Sequence, residues 1–329
     1  MGRRDVHLLD GVAEDARKLV RRRKQPNWID PMLATLTEEY FSDPAWVFEP
    51  KLDGVRCLAF KSGKRVRLMS RNQLSLNDRY PAVVDAVSRL ELAEGILDGE
   101  VAVVSAGVSR FQSLQRHLLE GAGSLAYYVF DAPHLAGHDL TALPLLDRKQ
   151  ILANAVTPGA VIELVGYREG SGEAYLQEAC EQGWEGLIAK RASAPYVQGR
   201  AKEWLKFKCS KEQEFVVGGF TDPQGAREGF GALLVGYHSD EGFLYAGKVG
   251  TGYNHALLRS LTARLTALEQ PESPFAGKPP ARKRVHWVRP ELVVQVGFSE
   301  WTRDGRLRHP RFLGVRDDKD AGDVVREAG

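Results

Sequence analysis

The segment Glu49 to Arg56 reads EPKLDGVR and surrounds the amine of Lys51 with groups suited to a nucleotide phosphate. Asp53 and Gly54 predict a tight hairpin reversal, with Gly54 at positive φ, where it has no Cβ to clash. Asp53 can then hold the lysine while the guanidinium of Arg56 is left for a phosphate. Downstream, polar residues recur at predicted strand ends. Arg71 closes a strand in SRN, Glu100 lies inside the apolar run of LDGE, and Phe130 precedes Asp131 in YYVFD. Glu185 stands at the entrance of EGLIAKR, and Lys206 and Lys208 recur at period two in WLKFK. A carboxylate within an apolar strand needs a partner or a ligand to offset its desolvation. Two lysines on one strand face repel unless an anion lies between them. The arrangement therefore describes a pocket for a phosphorylated ligand.

The elements that must position these groups are short and mixed. Between Trp46 and about Ser210, the runs AWVFEP, RCLAF, RVRLMS, GILDGEVAVV, LAYYVFD, VIELVGY, GLIAKRA and EWLKFK predict strands. The stretches RYPAVVDAVSRL, RFQSLQRHLLE, LLDRKQILANAV and EAYLQEACEQ predict helices between them. Tight connections favour mixed or antiparallel sheets over a doubly wound parallel one. From about Glu212, Gly-rich corners, short strands and one helix, LLRSLTARLTALEQ, suit a small five-stranded barrel of the oligonucleotide-binding (OB) type, with a Pro-rich connector, PESPFAGKPPARKR, expected to be a solvated loop. Residues 8 to 24 predict one amphipathic helix with a basic end, an appendage. The expected division is thus 1–30 basic N-terminal helical extension, 31–210 nucleotide-handling domain, and 211–329 OB-fold domain.

The chain has 329 residues, 43% of them hydrophobic and 27% charged, as in ordinary globular proteins. No apolar run reaches the length of a membrane span and the first residues lack a secretory signal core, so a cytoplasmic protein without membrane contact is expected. Cys57, Cys180 and Cys209 are widely spaced and odd in number, which predicts buried reduced thiols. A net charge of +2 leaves any nucleic-acid contact to local patches.

In order along the chain, EPKLDGVR, SRN, LDGE, YYVFD, EGLIAK and WLKFK resemble the signature motifs of the covalent nucleotidyltransferases. PMLATL, RFQSLQRH and the closing RHPRFLGVRDDK are similar to bacterial ATP-dependent DNA ligases, especially the ligase module of non-homologous end-joining enzymes. The resemblance runs from about residue 31 to 320. It implies an α+β fold, with an ATP-grasp-like nucleotidyltransferase domain of mixed and antiparallel sheets followed by a small OB-fold β-barrel. It also implies a DNA ligase (ATP) acting in DNA repair and recombination.

In the chemistry so implied, Lys51 attacks the α-phosphate of ATP, AMP passes to the 5′-phosphate of a nick, and the 3′-hydroxyl displaces AMP. A lysine with a pKa near 10.4 is protonated at neutral pH. A unit positive charge about 4 Å away, at an effective dielectric near 20, disfavours the ammonium by roughly 4 kcal/mol, about three pKa units. Lys206 and Lys208 would bind the α-phosphate. Glu185 and Glu100 would hold Mg²⁺ or Mn²⁺. The resemblance assigns Phe130 to stacking on adenine, Glu100 to the ribose hydroxyl and Glu49 to the neighbourhood of the base. Arg56 and Arg71 would hold the 5′-phosphate or the ribose, joined by Arg200 in the loop before WLKFK. Arg308, Arg316 and Lys319 resemble the motif that orients the leaving pyrophosphate, which requires the small domain to close over ATP.

The implied partner is nicked double-stranded DNA, bound by a monomer through its backbone. Contact with little base preference predicts steep salt dependence. The basic stretch 17–24, RFQSLQRH and Lys278 to Arg284 are the candidate clamps. A Ku-like end-binding protein is the further partner suggested by the end-joining resemblance. No residues resemble a polymerase or phosphoesterase module, so a standalone repair or backup ligase is expected. An RNA ligase, a GTP-dependent capping-type enzyme and a non-catalytic nucleic-acid-binding scaffold remain alternatives, separated by labelled ATP against GTP, nicked DNA against nicked RNA, and the presence of an AMP-sized mass increment.

Overall fold

The computed structural model describes residues 8–209, 211–223, 228–277 and 285–327. The chain divides into two compact units between Cys209 and Ser210.

The first unit contains the strands β1 (Met32–Leu36), β2 (Trp46–Pro50), β3 (Val55–Ser62), β4 (Arg65–Met69), β5 (Glu94–Ser105), β6 (Leu125–Leu135), β7 (Ile162–Leu164), β8 (Gly186–Arg191) and β9 (Gly199–Lys208). Its helices are α1 (Glu14–Arg17), α2 (Pro81–Arg89), α3 (Phe111–Glu120), α4 (Leu145–Ala155) and α5 (Gly172–Glu181). One sheet runs β6, β5, β3, β4, with β7 joining β6 in parallel and Arg21–Arg22 and His138–Asp139 extending the β6 edge. The other runs Arg168–Glu169, β2, β8, β9, β1, antiparallel except for the β9–β1 pair. Sheets of this mixed kind match the expected α+β class.

Side-chain alternation gives each sheet two unlike faces. On β3 and β5, Cys57, Ala59, Leu97 and Val101 enter a large core with residues of α2, α3 and α4. From the same strands, Leu58, Phe60 and Ile96 join Phe130 of β6 and meet Met32 and Trp204 of the second sheet. The second sheet buries Phe48, Leu187, Ala189 and Phe207 beneath Tyr175 and Leu176 of α5. Its other face carries the charged residues, so the charges look toward a space framed by both sheets.

Several expectations fail. The basic helix over 8–24 is helical only at Glu14–Arg17 within 9–24: Gly11 turns at φ +78°, and Arg21–Arg22 is extended against His138–Asp139. The segment is no appendage either, because Leu8, Leu9, Val12 and Ala16 are part of the large core. The hairpin at Asp53-Gly54 is absent, since β2 and β3 belong to different sheets and the segment crosses between them. Gly54 is not among the residues with positive φ. Glycine is needed there because a Cβ would come within 2.3 Å of the Val101 carbonyl oxygen. Cys57 is a buried thiol, but Cys180 and Cys209 form a disulfide with their Cα atoms 5.2 Å apart. The end of α5 meets the end of β9, an adjacency that a 29-residue spacing does not reveal.

The second unit is built on β10 (Lys211–Thr221), β11 (Leu233–Ser239), β12 (Gly242–Val249), β13 (Val285–Val288), β14 (Val293–Phe298), β15 (Arg311–Val315) and helix α6 (His255–Ala267). β10 pairs with β14, β11 and β13, while β11 pairs with β12 and β14 with β15. Asn254 caps α6, its side chain accepting from Leu257 N–H at 2.8 Å. A helix after the third of several curled strands is the OB arrangement. The barrel is open rather than closed: among the described residues no ladder joins β12 to β15, and across the gap Phe312 N–H donates to the Thr251 carbonyl at 2.9 Å and Thr251 Oγ1 to the Pro310 carbonyl at 3.5 Å. The Pro-rich connector begins inside the core, where Phe275 stacks on Phe243 with ring centroids 4.7 Å apart. Its Lys278 to Arg284 lies outside the described residues. No described helix is long and apolar enough to cross a membrane.

Candidate active site

Lys51 directly follows β2, and its backbone N–H donates to the Gly186 carbonyl of β8 at 2.9 Å, which continues the ladder by one residue. The adjacent pairs are Glu49 opposite Ile188, Ile188 opposite Lys206, and Gly186 opposite Lys208. Directly opposed residues in antiparallel strands project from the same face. Glu49, Lys51, Lys190, Lys206 and Lys208 therefore share one face of the sheet. The Nζ of Lys51 meets the carboxylate of Glu185, and both side chains are largely buried. Glu185 thus supplies a carboxylate on the lysine, a pairing the sequence reading did not make. Asp53 points to α3, accepting from Phe111 N–H at 2.9 Å, and its own N–H donates to Ser109 Oγ at 3.0 Å. It caps a helix whose Arg110 N-cap makes no side-chain cap bond.

Gly186 is the tight point of this arrangement. It sits at φ +147°, and a Cβ there would lie 1.9 Å from the Phe207 carbonyl oxygen. Gly186→Ala is expected to lower stability by more than about 1 kcal/mol, because backbone rather than a movable side chain is in the way. Since its carbonyl also anchors Lys51, the variant should modify Lys51 more slowly than it unfolds would explain; denaturant unfolding and the rate of ATP labelling check the two parts separately.

Glu49 is 2% exposed and bridges two lysines, with Oε1 2.6 Å from Lys149 Nζ and Oε2 2.6 Å from Lys190 Nζ. Lys190 Nζ also lies 4.2 Å from the ring centre of Phe130 and 4.0 Å from that of Trp204. Burial pushes its pKa down from 10.5 to about 8; Glu49 opposes the shift and Lys149 adds to it. A group whose folded pKa lies below its unfolded value binds fewer protons when folded, so its contribution to stability rises with pH between about 8 and 10.5. The Lys190 amine should titrate near pH 8 by nitrogen NMR of side-chain-labelled protein; titration only near the ordinary lysine value would contradict this reading.

The opposing wall comes from β3, β5 and β6. Arg56 donates to both oxygens of Asp98, 2.6 Å each, and to the Met32 carbonyl at 3.1 Å. Its guanidinium carbon stands 4.5 Å from the ring centre of Phe130. Burial works against the guanidinium charge, but the paired Asp98 outweighs it and holds Arg56 above its usual range. Asp98 is fully buried and also accepts from Tyr196 O–H at 2.6 Å. Phe130 sits in a bulge where the ladder steps from Asp98 opposite Asp131 to Gly99 opposite Val129. Bulges re-aim side chains near functional sites. Glu100 is the ladder partner of Arg56. Beneath them Arg148 clamps Asp131 with two bonds of 2.8 Å.

Arg71 lies in the turn after β4 and donates to Asn72 at 3.3 Å. Arg200 is in β9 rather than a preceding loop, and donates to the Ala34 carbonyl at 2.8 Å. In the second unit Arg316 holds Asp318 with two 2.9 Å bonds, Lys319 meets Glu214 at 3.2 Å, Asp317 meets Arg264 at 2.7 Å and Arg308 pairs with Glu300. Arg316 overcomes the effect of burial and keeps the Asp318 carboxyl below the usual carboxylate range.

Asp98, Tyr196, Lys149 and Lys190 were not singled out from the sequence. Asp98 could have been found, since it is one period-two step from Glu100 in the same apolar run.

Comparison with known proteins gives a consistent picture. The family model for the ATP dependent DNA ligase domain matches residues 31–208, and that for the ATP dependent DNA ligase C terminal region matches 226–319. The multifunctional non-homologous end joining protein LigD of Pseudomonas aeruginosa is 38% identical over 312 residues, covering 92% of this chain and 37% of that protein. A probable DNA ligase of Anaeromyxobacter sp. is 35% identical over 312 residues, 88% of this chain and 57% of that protein. The chain therefore spans well under half the length of the LigD relative. A solved structure described as mycobacterial DNA ligase D complexed with ATP and MES is 34% identical, with a TM-score of 0.66 over 91% of this chain and 98% of that one.

Proposed function

The chain belongs to the ATP-dependent DNA ligases, and from that premise we propose that it seals nicks between 3′-hydroxyl and 5′-phosphate ends through an adenylate carried on Lys51. In the first step the neutral Lys51 Nζ attacks the α-phosphorus of ATP, a P–N bond forms, and pyrophosphate leaves. A 5′-phosphate oxygen of nicked DNA then attacks the same phosphorus and the P–N bond breaks, which returns the amine. Finally the 3′-hydroxyl attacks the 5′-phosphorus, closing the strand and releasing AMP.

The observation that supports this reading most is the common face shared by Lys51, Glu49, Lys206 and Lys208, with the Glu185 carboxylate on the Lys51 amine. Glu185 favours the ammonium, so the lysine is held ready but protonated until that carboxylate is engaged elsewhere. Lys206 and Lys208 would take the α-phosphate charge as it develops. Phe130 would stack on the adenine, with Glu49 near its base edge and Glu100 at the ribose. Arg56 and Arg71 would meet the DNA phosphate or ribose, although Arg56 must do so while bound to Asp98. Asp53 would act by fixing the Lys51 loop against α3. Arg316 and Lys319 are proposed for the pyrophosphate.

Glu185 and Glu100 suit a hard cation such as Mg²⁺ or Mn²⁺. Among the described residues no three His, Cys, Asp or Glu gather into a metal cluster, so phosphate oxygens and water would complete its shell. Held at Glu185, such an ion would supply the positive charge that disfavours the Lys51 ammonium and offsets phosphate charge.

End joining as a setting is suggested by the names of the relatives, with a Ku-like protein as recruiting partner, the bacterial cytosol as place and a monomer as working form. Incubation with labelled ATP and a nicked duplex tests the core of the reading. It predicts a labelled protein and a sealed strand. Sealing without a protein adenylate would refute it.

A further inference from the structure

We propose that the Cys180–Cys209 disulfide is a redox-sensitive positioning element for Glu185 and, through it, for the amine of Lys51. The proposal rests on reading Lys51 as the adenylated residue. Cys180 lies in the last turn of α5 and Cys209 directly follows β9. Residues 182–185 connect α5 to β8 and are fixed from both half-cystines. Gly183 N–H donates to the Cys180 carbonyl at 3.1 Å, and Trp184 N–H to the Ala179 carbonyl at 2.9 Å. At the far end Cys209 N–H donates to the Glu185 carbonyl at 3.0 Å. One residue on, Gly186 pairs with Lys208 and accepts from Lys51 N–H. The disulfide thus closes a small ring around the backbone of Glu185, whose side chain meets Lys51.

Opening the bond leaves the hydrogen bonds but removes the covalent tie between the two segments that carry Glu185 and Lys208. A displacement of about 1 Å at a reacting centre can lower a rate by about 10²-fold. Cys180 is exposed and Cys209 half-buried, within reach of a small dithiol, whereas Cys57 is enclosed and its thiol is pushed up by burial. A dithiol reductant acts by two exchanges. Its two sulfurs join in a new S–S bond, the Cys180–Cys209 bond breaks, and two electrons and two protons pass to the protein thiols. In a reducing compartment the few disulfides that form are mostly redox-sensing or catalytic.

The test uses the full chain in three forms: purified without reductant, treated with dithiothreitol, and as the Cys180→Ser/Cys209→Ser double variant. Thiol labelling with peptide mapping fixes the redox state, and circular dichroism confirms folding. Single-turnover ATP labelling is then followed across an ATP concentration series. The oxidised protein should label about tenfold or more faster than the reduced one. The loss should fall on the maximal labelling rate and leave the half-saturating ATP concentration unchanged, because the bond ties down the segment whose Glu185 meets the attacking amine. The double variant should match the reduced form and ignore the reductant. Equal maximal rates in the oxidised and reduced forms, or free thiols at both positions without reductant, would overturn the proposal. An oxidised, folded protein that forms no adenylate on Lys51 would instead overturn the reading of the site, and the proposal with it.

Discussion

Lys51→Ala should abolish labelling by ATP and lower nick sealing by at least about 10⁴-fold, the scale seen when a covalent nucleophile is removed. Lys51→Arg should be equally inactive. Arginine keeps the positive charge and can still meet Glu185, but it does not lose its proton at any working pH. The pair therefore separates the charge of the residue from its nucleophilicity. Circular dichroism should show both variants folded, because Lys51 belongs to none of the apolar clusters of its unit. Both variants should still close a nick supplied with AMP already on its 5′-phosphate, since the last transfer needs no amine. Gel assays on ordinary and pre-adenylated nicks check this directly; loss of both activities would point to damage beyond the nucleophile.

Asp98→Ala should destabilise the protein by about 3–5 kcal/mol, because it strips the partner from a largely buried guanidinium. Arg56 would keep its charge and only the Met32 carbonyl among its described hydrogen-bond acceptors, and the Tyr196 hydroxyl would lose its acceptor as well. A charge-free replacement, Arg56→Met with Asp98→Leu, should recover most of that stability, as well-packed apolar residues can replace a buried ion pair at little cost. Sealing should not recover with it, because the guanidinium beside Phe130 is gone. Denaturant midpoints and sealing rates on the same preparations separate the two effects. Recovery of both would show that Arg56 serves only the fold.

What the sequence made legible was local. Period-two spacing put Lys206 and Lys208 on one face, and apolar runs marked the strands of both units. What it hid depended on which segments meet. Asp53 and Gly54 carry the signature of a hairpin, yet nothing local says whether the next strand returns to the same sheet; the close approach of Val101 explains the glycine instead. Asp98 and Glu100 are one step apart in the same run; the register sets Glu100 opposite Arg56, yet Asp98, which also accepts from Tyr196, takes both guanidinium bonds. Lys149 reaches Glu49 from a helix a hundred residues further on. The disulfide needed two element ends to be neighbours, and the basic segment 8–24 needed a core to receive its leucines.

The most direct measurement is the intact mass of the protein after exposure to ATP and Mg²⁺, followed by mapping of the modified peptide. The account predicts one AMP-sized increment on Lys51, labile in acid as a P–N bond should be, and removed by pyrophosphate. An increment on any other residue, or active sealing with none at all, would contradict it.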